Sequence, residues 1–134
     1  MTLNAKIETI SEKPSFRNSV KKRCLIIADG YYEWQWKDPK GKNKQKFLIT
    51  PTDQEIFAFA GIYSTWVNPQ TNEALNTYSI VTTEANELMA EIHNNMKRMP
   101  VVLKQQDHQS WLNGHDHSNF AFPYEVPLIA TEVA

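Results

Sequence analysis

Between residues 23 and 36 the chain reads Arg-Cys-Leu-Ile-Ile-Ala-Asp-Gly-Tyr-Tyr-Glu-Trp-Gln-Trp, and this stretch limits the possible folds more than any other. Leu25 to Ala28 are apolar and partly β-branched, the signature of a buried strand. Asp29-Gly30 signals a turn or bulge. Beyond it the side chains alternate, so Tyr32, Trp34 and Trp36 share one face of an extended chain and Tyr31, Glu33 and Gln35 share the other. Glu33 thus stands among aromatic rings. A carboxylate crowded by rings loses hydration, and desolvation favours its protonated form. That is how proteins obtain a general acid from Glu near neutrality. A Glu at a strand end that merely pairs with a cation is the plain alternative, and this stretch alone leaves both open.

The rest of the chain continues the β pattern. Asn4 to Ile10 reads as a short strand, and residues 14–22 read as a short helix with Pro14 in its first turn and Phe16 and Val20 on one face. A strand from Cys24 to Trp36 and another from Lys46 to Thr50 would form a hairpin across the 37–45 loop. Ile56 to Trp66 is rich in aromatic and β-branched residues, with Gly61 marking a bend or close approach. Asn68 to Ala74 is a polar turn, and Tyr78 to Thr82 a further strand. Thr83 is a candidate cap for a helix that puts Leu88, Met89 and Ile92 at helical spacing. Arg98 to Leu103 reads as a strand with Pro100 at an edge or bulge. Asp107 to Leu112 is a short helix stopped by Asn113-Gly114. The tail from Phe120 to Val133 is apolar enough for a last strand. The elements describe one β-rich α+β domain.

The single cysteine, Cys24, leaves no intrachain disulfide and no cysteine metal cluster, and before an apolar strand it reads as a small buried hydrophobe. No apolar run reaches the ~18 residues of a membrane span, and there is no basic-then-apolar leader pattern. A cytoplasmic location and no membrane contact are the expectation. The net charge of −1 conceals an asymmetry. Residues 1–46 hold eleven Lys/Arg against five Asp/Glu, whereas residues 47–134 hold three against ten. A basic front half with interleaved aromatics is compatible with a nucleic-acid surface. The lysines between Lys37 and Lys46 equally suit a solvated hairpin loop, since Asp-Pro-Lys-Gly-Lys-Asn is a turn composition.

Taken in order, Asn4-Ala-Lys-Ile-Glu-Thr9, the stretch just described, Phe59-Ala-Gly-Ile-Tyr63, Ile80-Val-Thr-Thr-Glu-Ala-Asn86 and Ile92-His93 with Lys97-Arg-Met-Pro-Val-Val-Leu103 resemble the blocks of the SOS-response-associated peptidase (SRAP) family. The resemblance implies a mixed domain of several curved, mainly antiparallel strands with a few short helices. It also implies a site facing single-stranded DNA at an abasic lesion. There the family's amino-terminal cysteine, exposed by autocatalytic removal of the initiator Met, attacks the ring-opened sugar aldehyde. Amine and thiol together close a thiazolidine, leaving a DNA–protein crosslink.

Asn4, Glu33 and His93 match three functional positions of that pattern. An amide such as Asn4 can orient the aldehyde oxygen, and Glu33 can protonate the departing hydroxyl. His93 can carry protons in crosslinking or its reversal. Lys6 and Arg98 match basic positions expected to meet DNA phosphates, which would make binding salt-sensitive. Read without the resemblance, Asn4 is a turn residue, His93 closes a helix where an imidazolium meets the helix dipole, and Lys6 and Arg98 are surface charges. His108, His115 and His117 look solvated rather than metal-ligating, and neither metal nor cofactor is expected.

Two departures stand out. The family pattern begins Met-Cys-Gly-Arg and runs on before its Asn block, whereas this sequence begins Met1-Thr2-Leu3-Asn4. The expectation is therefore residues 1–134 as a partial SRAP domain that lacks its nucleophile, with a non-catalytic binding module as the competing reading. Thr2 as a substitute nucleophile has too little chain to loop back. Missing strands would expose sheet edges and apolar faces, so self-association or completion by a second polypeptide is expected, and a strictly monomeric sedimentation profile would contradict it. Second, Asn-Asn-Met-Lys separates His93 from Arg98, a wider gap than in the family's shorter form.

Overall fold

The apolar and alternating runs on either side of Asp29-Gly30 lie in different sheets of the computed structural model, which describes residues 4–12 and 20–134. The first sheet has the order β1 (Asn4–Lys6), β6 (Ala74–Glu84), β5 (Phe57–Val67), β2 (Arg23–Ala28), with β7 (Arg98–Pro100) also on β6. The second has the order β3 (Tyr31–Trp36), β4 (Lys44–Pro51), β8 (Leu128–Val133). Among the described residues only the β1–β6 pairing is parallel. The expected strand from Cys24 to Trp36 is therefore two strands, and only its second half forms the hairpin. Burial explains the division. Leu25 packs against one core cluster while Ile26 and Ala28 pack against another, so β2 is used on both faces. β3 leaves one face open to solvent, and that face carries Tyr32 and Trp34, while Tyr31, Glu33 and Gln35 lie on the half-buried side.

Other boundaries shift for identifiable reasons. The strand expected over Asn4 to Ile10 ends at Lys6, although Ile7 N–H still donates to Thr82 O. The chain then turns, with Thr9 N–H on Lys6 O, because Ile7 and Ile10 are drawn into the core. Thr83 does not cap a helix. It stays in β6, buried, and its hydroxyl accepts from Phe122 N–H. The cap of α1 (Glu87–Ile92) is Asn86, whose Oδ1 accepts from Met89 N–H at 2.9 Å. The helix α2 (His108–Leu112) ends at Asn113 and Gly114 as expected, and a 3-10 turn precedes it. The helix expected over 14–22 falls for the most part outside the described residues, as does Thr2.

β7 enters where β5 and β6 diverge. Val101 N–H donates to Val81 O, Val101 O accepts from Ala60 N–H, and Leu103 N–H donates to Ala58 O. Pro100 lies opposite Thr82. The bonds on either side leave that pair in a non-hydrogen-bonded position, so the ladder to β6 does not miss the proline N–H. This wedge brings Arg98 and the end of α1 onto the first sheet.

The main core gathers Ile7, Ile10, Ile62, Val81 and Leu103 around Trp111, whose indole N–H donates to the carbonyls of Cys24 and Gly61. Gly61 permits the close packing there: a Cβ on it would stand 2.7 Å from Ile26 Cδ1 and 2.9 Å from Cys24 Sγ. A second cluster, with Phe47, Ile49, Met89, Ile92 and Met99, fills the space between α1 and the second sheet. Trp66, Leu75 and Tyr78 on the β5–β6 ribbon remain more than half exposed.

Candidate functional site

Asn4, Glu33, His93 and Arg98 come from four separate parts of the chain and line one cleft of about 360 Å³. Phe59, Ile80 and Thr82 of the first sheet also line it, together with Tyr31 and Tyr32 of the second sheet and Met99 and Pro100 of β7.

Asn4 is placed by β1. The strand alternates Asn4 outward, Ala5 inward and Lys6 outward, and its parallel register sets Asn4 against Ile80. Lys6 shares Asn4's face opposite Thr82 but does not line the cleft.

Glu33 is placed by β3, which is fastened to the end of α1. Gln35 Nε2 donates to Glu91 O at 2.8 Å. Asn94 then meets the Trp36 backbone twice, accepting from its N–H and donating to its O. One Glu33 oxygen accepts from Trp34 N–H at 3.1 Å. The wall of rings expected around this carboxylate is only partly present. Tyr31 shares its face, stacked edge-on to Phe59 with its hydroxyl on Met89 Sδ. Burial, followed by the Glu33 charge, pushes the Tyr31 phenol above its ordinary value. Tyr32 and Trp34 turn their rings to the opposite face, where Lys46 Nζ lies 4.1 Å and 5.8 Å from the two ring centroids. Strand alternation and the cross-strand pair Trp34–Lys46 dictate this.

His93 closes α1, its N–H on Met89 O. Its Nδ1 accepts from Arg98 N–H at 3.0 Å. A ring nitrogen that accepts carries no proton, so the contact belongs to the neutral imidazole with its N–H at Nε2. An imidazolium facing the helix dipole does not fit this contact. The wider gap to Arg98 is absorbed by a turn: Lys97 N–H donates to His93 O, and Lys97 adopts φ +55°. Arg98 consequently still reaches the cleft.

The Arg98 guanidinium makes a two-pronged pair with Glu8, at 2.7 and 2.8 Å, and a third bond to Thr82 Oγ1 at 3.1 Å. The Arg98 hydrogen bond, opposed by burial, holds the Glu8 carboxyl below the usual carboxylate range. Because the folded value is lowered, the pair adds stability above the unfolded carboxylate pKa of ~4.3. That stability is lost as pH falls through the folded value. Glu8 is well exposed, so the contribution is at most about 1 kcal/mol. Thermal unfolding of the wild type and of Glu8→Gln should differ near neutrality and converge in acid. A gap that persists in acid would assign the effect to something other than this charge.

The cleft therefore sets an amide, a carboxylate, a neutral imidazole and a guanidinium around a partly apolar floor. Such a set can hold an oxygen-bearing substrate and move protons on it. Cys24 is not part of it. It lies in a separate groove with Tyr63 and Tyr78, and burial pushes its thiol up. Among the described residues no group of three His, Cys, Asp or Glu is placed to hold a metal ion, and no helix is long and apolar enough to cross a membrane. Sequence reasoning gave no role to Glu8 or Thr82, although both lie inside stretches it singled out.

A family model described as SOS response associated peptidase (SRAP) matches residues 1–130. The chain is 47% identical over 112 residues to the abasic site processing protein YoqW of Bacillus subtilis (strain 168), covering 83% of this chain and 47% of that protein. It is 32% identical over 133 residues to the abasic site processing protein HMCES of Gallus gallus, covering 84% of this chain and 38% of that protein. A crystal structure of a Bacteroides thetaiotaomicron protein superposes with a TM-score of 0.89 at 38% identity, covering all of this chain and 59% of the other. The chain spans about half the length of the curated relatives it matches, or less.

Proposed function

We propose a function from the premise that this chain belongs to the SOS response associated peptidase family. It acts in the processing of abasic sites in single-stranded DNA during the DNA-damage response, in the cytoplasm. The observation that carries this reading is the meeting of Asn4, Glu33, His93 and Arg98 in one cleft. In it Asn4 orients the sugar aldehyde, Glu33 protonates the departing hydroxyl, and His93 carries protons through Nε2. Cys24 stands outside the cleft, so it does not supply the thiol of this chemistry.

DNA reaches the cleft over the outer face of β3 and β4. Tyr32 and Trp34 are exposed there beside Lys46, a pairing of rings and positive charge that suits unpaired bases and their phosphates. Trp34→Ala should weaken binding of a single-stranded oligonucleotide by about 5- to 150-fold, the loss of one stacked base at ~1–3 kcal/mol. Lys46→Ala should lower the dependence of log affinity on log salt by about one. Anisotropy titrations over a range of salt check both, and unchanged affinity in both variants would remove this face from the DNA path.

The position of Cys24 favours a second reading, that the chain binds abasic DNA without reacting. Native and denaturing gels after incubation with an abasic single-stranded oligonucleotide, with and without the family's cysteine-bearing amino-terminal segment supplied, separate the two. Retention on the native gel with no covalent band in either case supports the binding module, a covalent band that needs the supplied segment supports the first reading, and no preference for abasic over intact DNA defeats both.

A further inference from the structure

Glu8 lies outside the cleft, yet it joins two of its walls, β1 through the backbone and Arg98 through its carboxylate. It follows β1, the strand that carries Asn4, and continues that strand's alternation: Ala5 and Ile7 are buried while Asn4, Lys6 and Glu8 point the other way. Ile7 N–H on Thr82 O prolongs the pairing with β6, and the turn at Thr9 holds the segment from the far side. β7 lies on the opposite flank of β6. The Arg98 side chain therefore crosses over Thr82, bonding its hydroxyl on the way, and closes on Glu8 with both terminal nitrogens. Two strand spacings, roughly 9–10 Å, separate the backbones that this pair joins.

Arg98 is bound at its other end too. Its backbone N–H donates to His93 Nδ1, while the guanidinium is mostly buried and its Nε has no partner among the described residues. The side chain thus rests on Glu8 and Thr82. The chain of contacts runs from Glu8 to the Arg98 guanidinium, along the Arg98 backbone, and into the imidazole ring.

We propose that Glu8 is a positioning residue of this site: by clamping Arg98 across β6 it holds the Arg98 backbone N–H on His93 Nδ1, and so aims the His93 Nε2–H into the cleft that Asn4 borders. The idea deepens the function proposed above by naming what sets the proton-carrying group, and it rests on that reading for its catalytic meaning alone. A two-pronged carboxylate–guanidinium pair suits the task because it fixes orientation as well as distance.

The test is nitrogen-15 NMR of the His93 ring in the free protein, in alkaline buffer where the imidazole is neutral. The wild type should show one tautomer, Nε2–H, with Nδ1 shifted as an acceptor. Glu8→Gln, which keeps the shape but breaks the charged clamp, should give a mixture of both tautomers with a shifted Arg98 amide signal, while amides of the main core stay in place. The charge-exchanged double variant, Glu8→Arg with Arg98→Glu, should restore the single tautomer. A Glu8→Gln protein that keeps the wild-type tautomer and Arg98 amide overturns the proposal. So does a spectrum changed throughout the core, which would make Glu8 a residue of general stability. No DNA enters the measurement, so failure here and failure of abasic-site recognition are read separately.

Discussion

Trp111→Ala is expected to cost about 3–5 kcal/mol, the range for removing a large buried aromatic side chain. The indole is fully buried in the main core and stacks edge-on to Phe120. It donates to Cys24 O and Gly61 O, which lie on the paired strands β2 and β5. The Arg23 guanidinium covers its ring at 4.1 Å and donates to the carbonyls of Trp111 and His115. Alanine would leave a cavity under the sheet and remove the ring beneath the Arg23 guanidinium, although the two backbone carbonyls that Arg23 bonds would remain. Domains of this size hold only ~5–15 kcal/mol in all, so the variant should unfold at much lower urea concentration, if it folds at all. Trp111→Phe keeps most of the volume and loses the indole N–H, and should fall between the two. An unfolding free energy for Trp111→Ala, extrapolated from urea titration, within about 1 kcal/mol of wild type would mean that α2 is not a structural part of the core.

Glu33→Gln carries the largest expected effect on chemistry. Gln keeps the hydrogen bond from Trp34 N–H and nearly the same volume, so folding should be unchanged. It cannot exchange a proton. General acid–base groups contribute ~10²–10⁴-fold. On the proposed reading, with the family's cysteine-bearing amino-terminal segment supplied, covalent product with abasic single-stranded DNA should therefore form more slowly by that factor, while affinity for the DNA stays near the wild-type value. A rate within about threefold of wild type, well under the range for such groups, would relegate Glu33 to a structural role. Loss of affinity in parallel with rate would instead make it a binding group.

Local patterns in the sequence suffice where one segment decides the matter. The β3–β4 hairpin, the Asn113-Gly114 stop and the close approach at Gly61 all follow from turn chemistry or periodicity over a few residues. The cap of α1 lies three residues beyond Thr83, and local sequence does not choose because Thr83 and Asn86 are both competent caps. The choice fell to Phe122, distant in sequence, which takes the Thr83 hydroxyl into the core. Asp29-Gly30 reads locally as a break, and nothing in those two residues marks it as the point where the chain leaves one sheet for another. That outcome depends on which strands β2 and β3 find as partners.

The sequence by itself determined the β-rich class, the alternation of Tyr31 to Trp36 and, through its ordered blocks, the family. These are properties of residue type and short spacing. Only the tertiary structure decided what surrounds Glu33, because ring placement depends on Lys46 across the hairpin. It alone decided that Asn4, Glu33, His93 and Arg98 share a cleft and that Glu8 reaches Arg98, ninety residues away, over Thr82. Strand register and the order of strands in a sheet create such contacts, and no period along the chain encodes them.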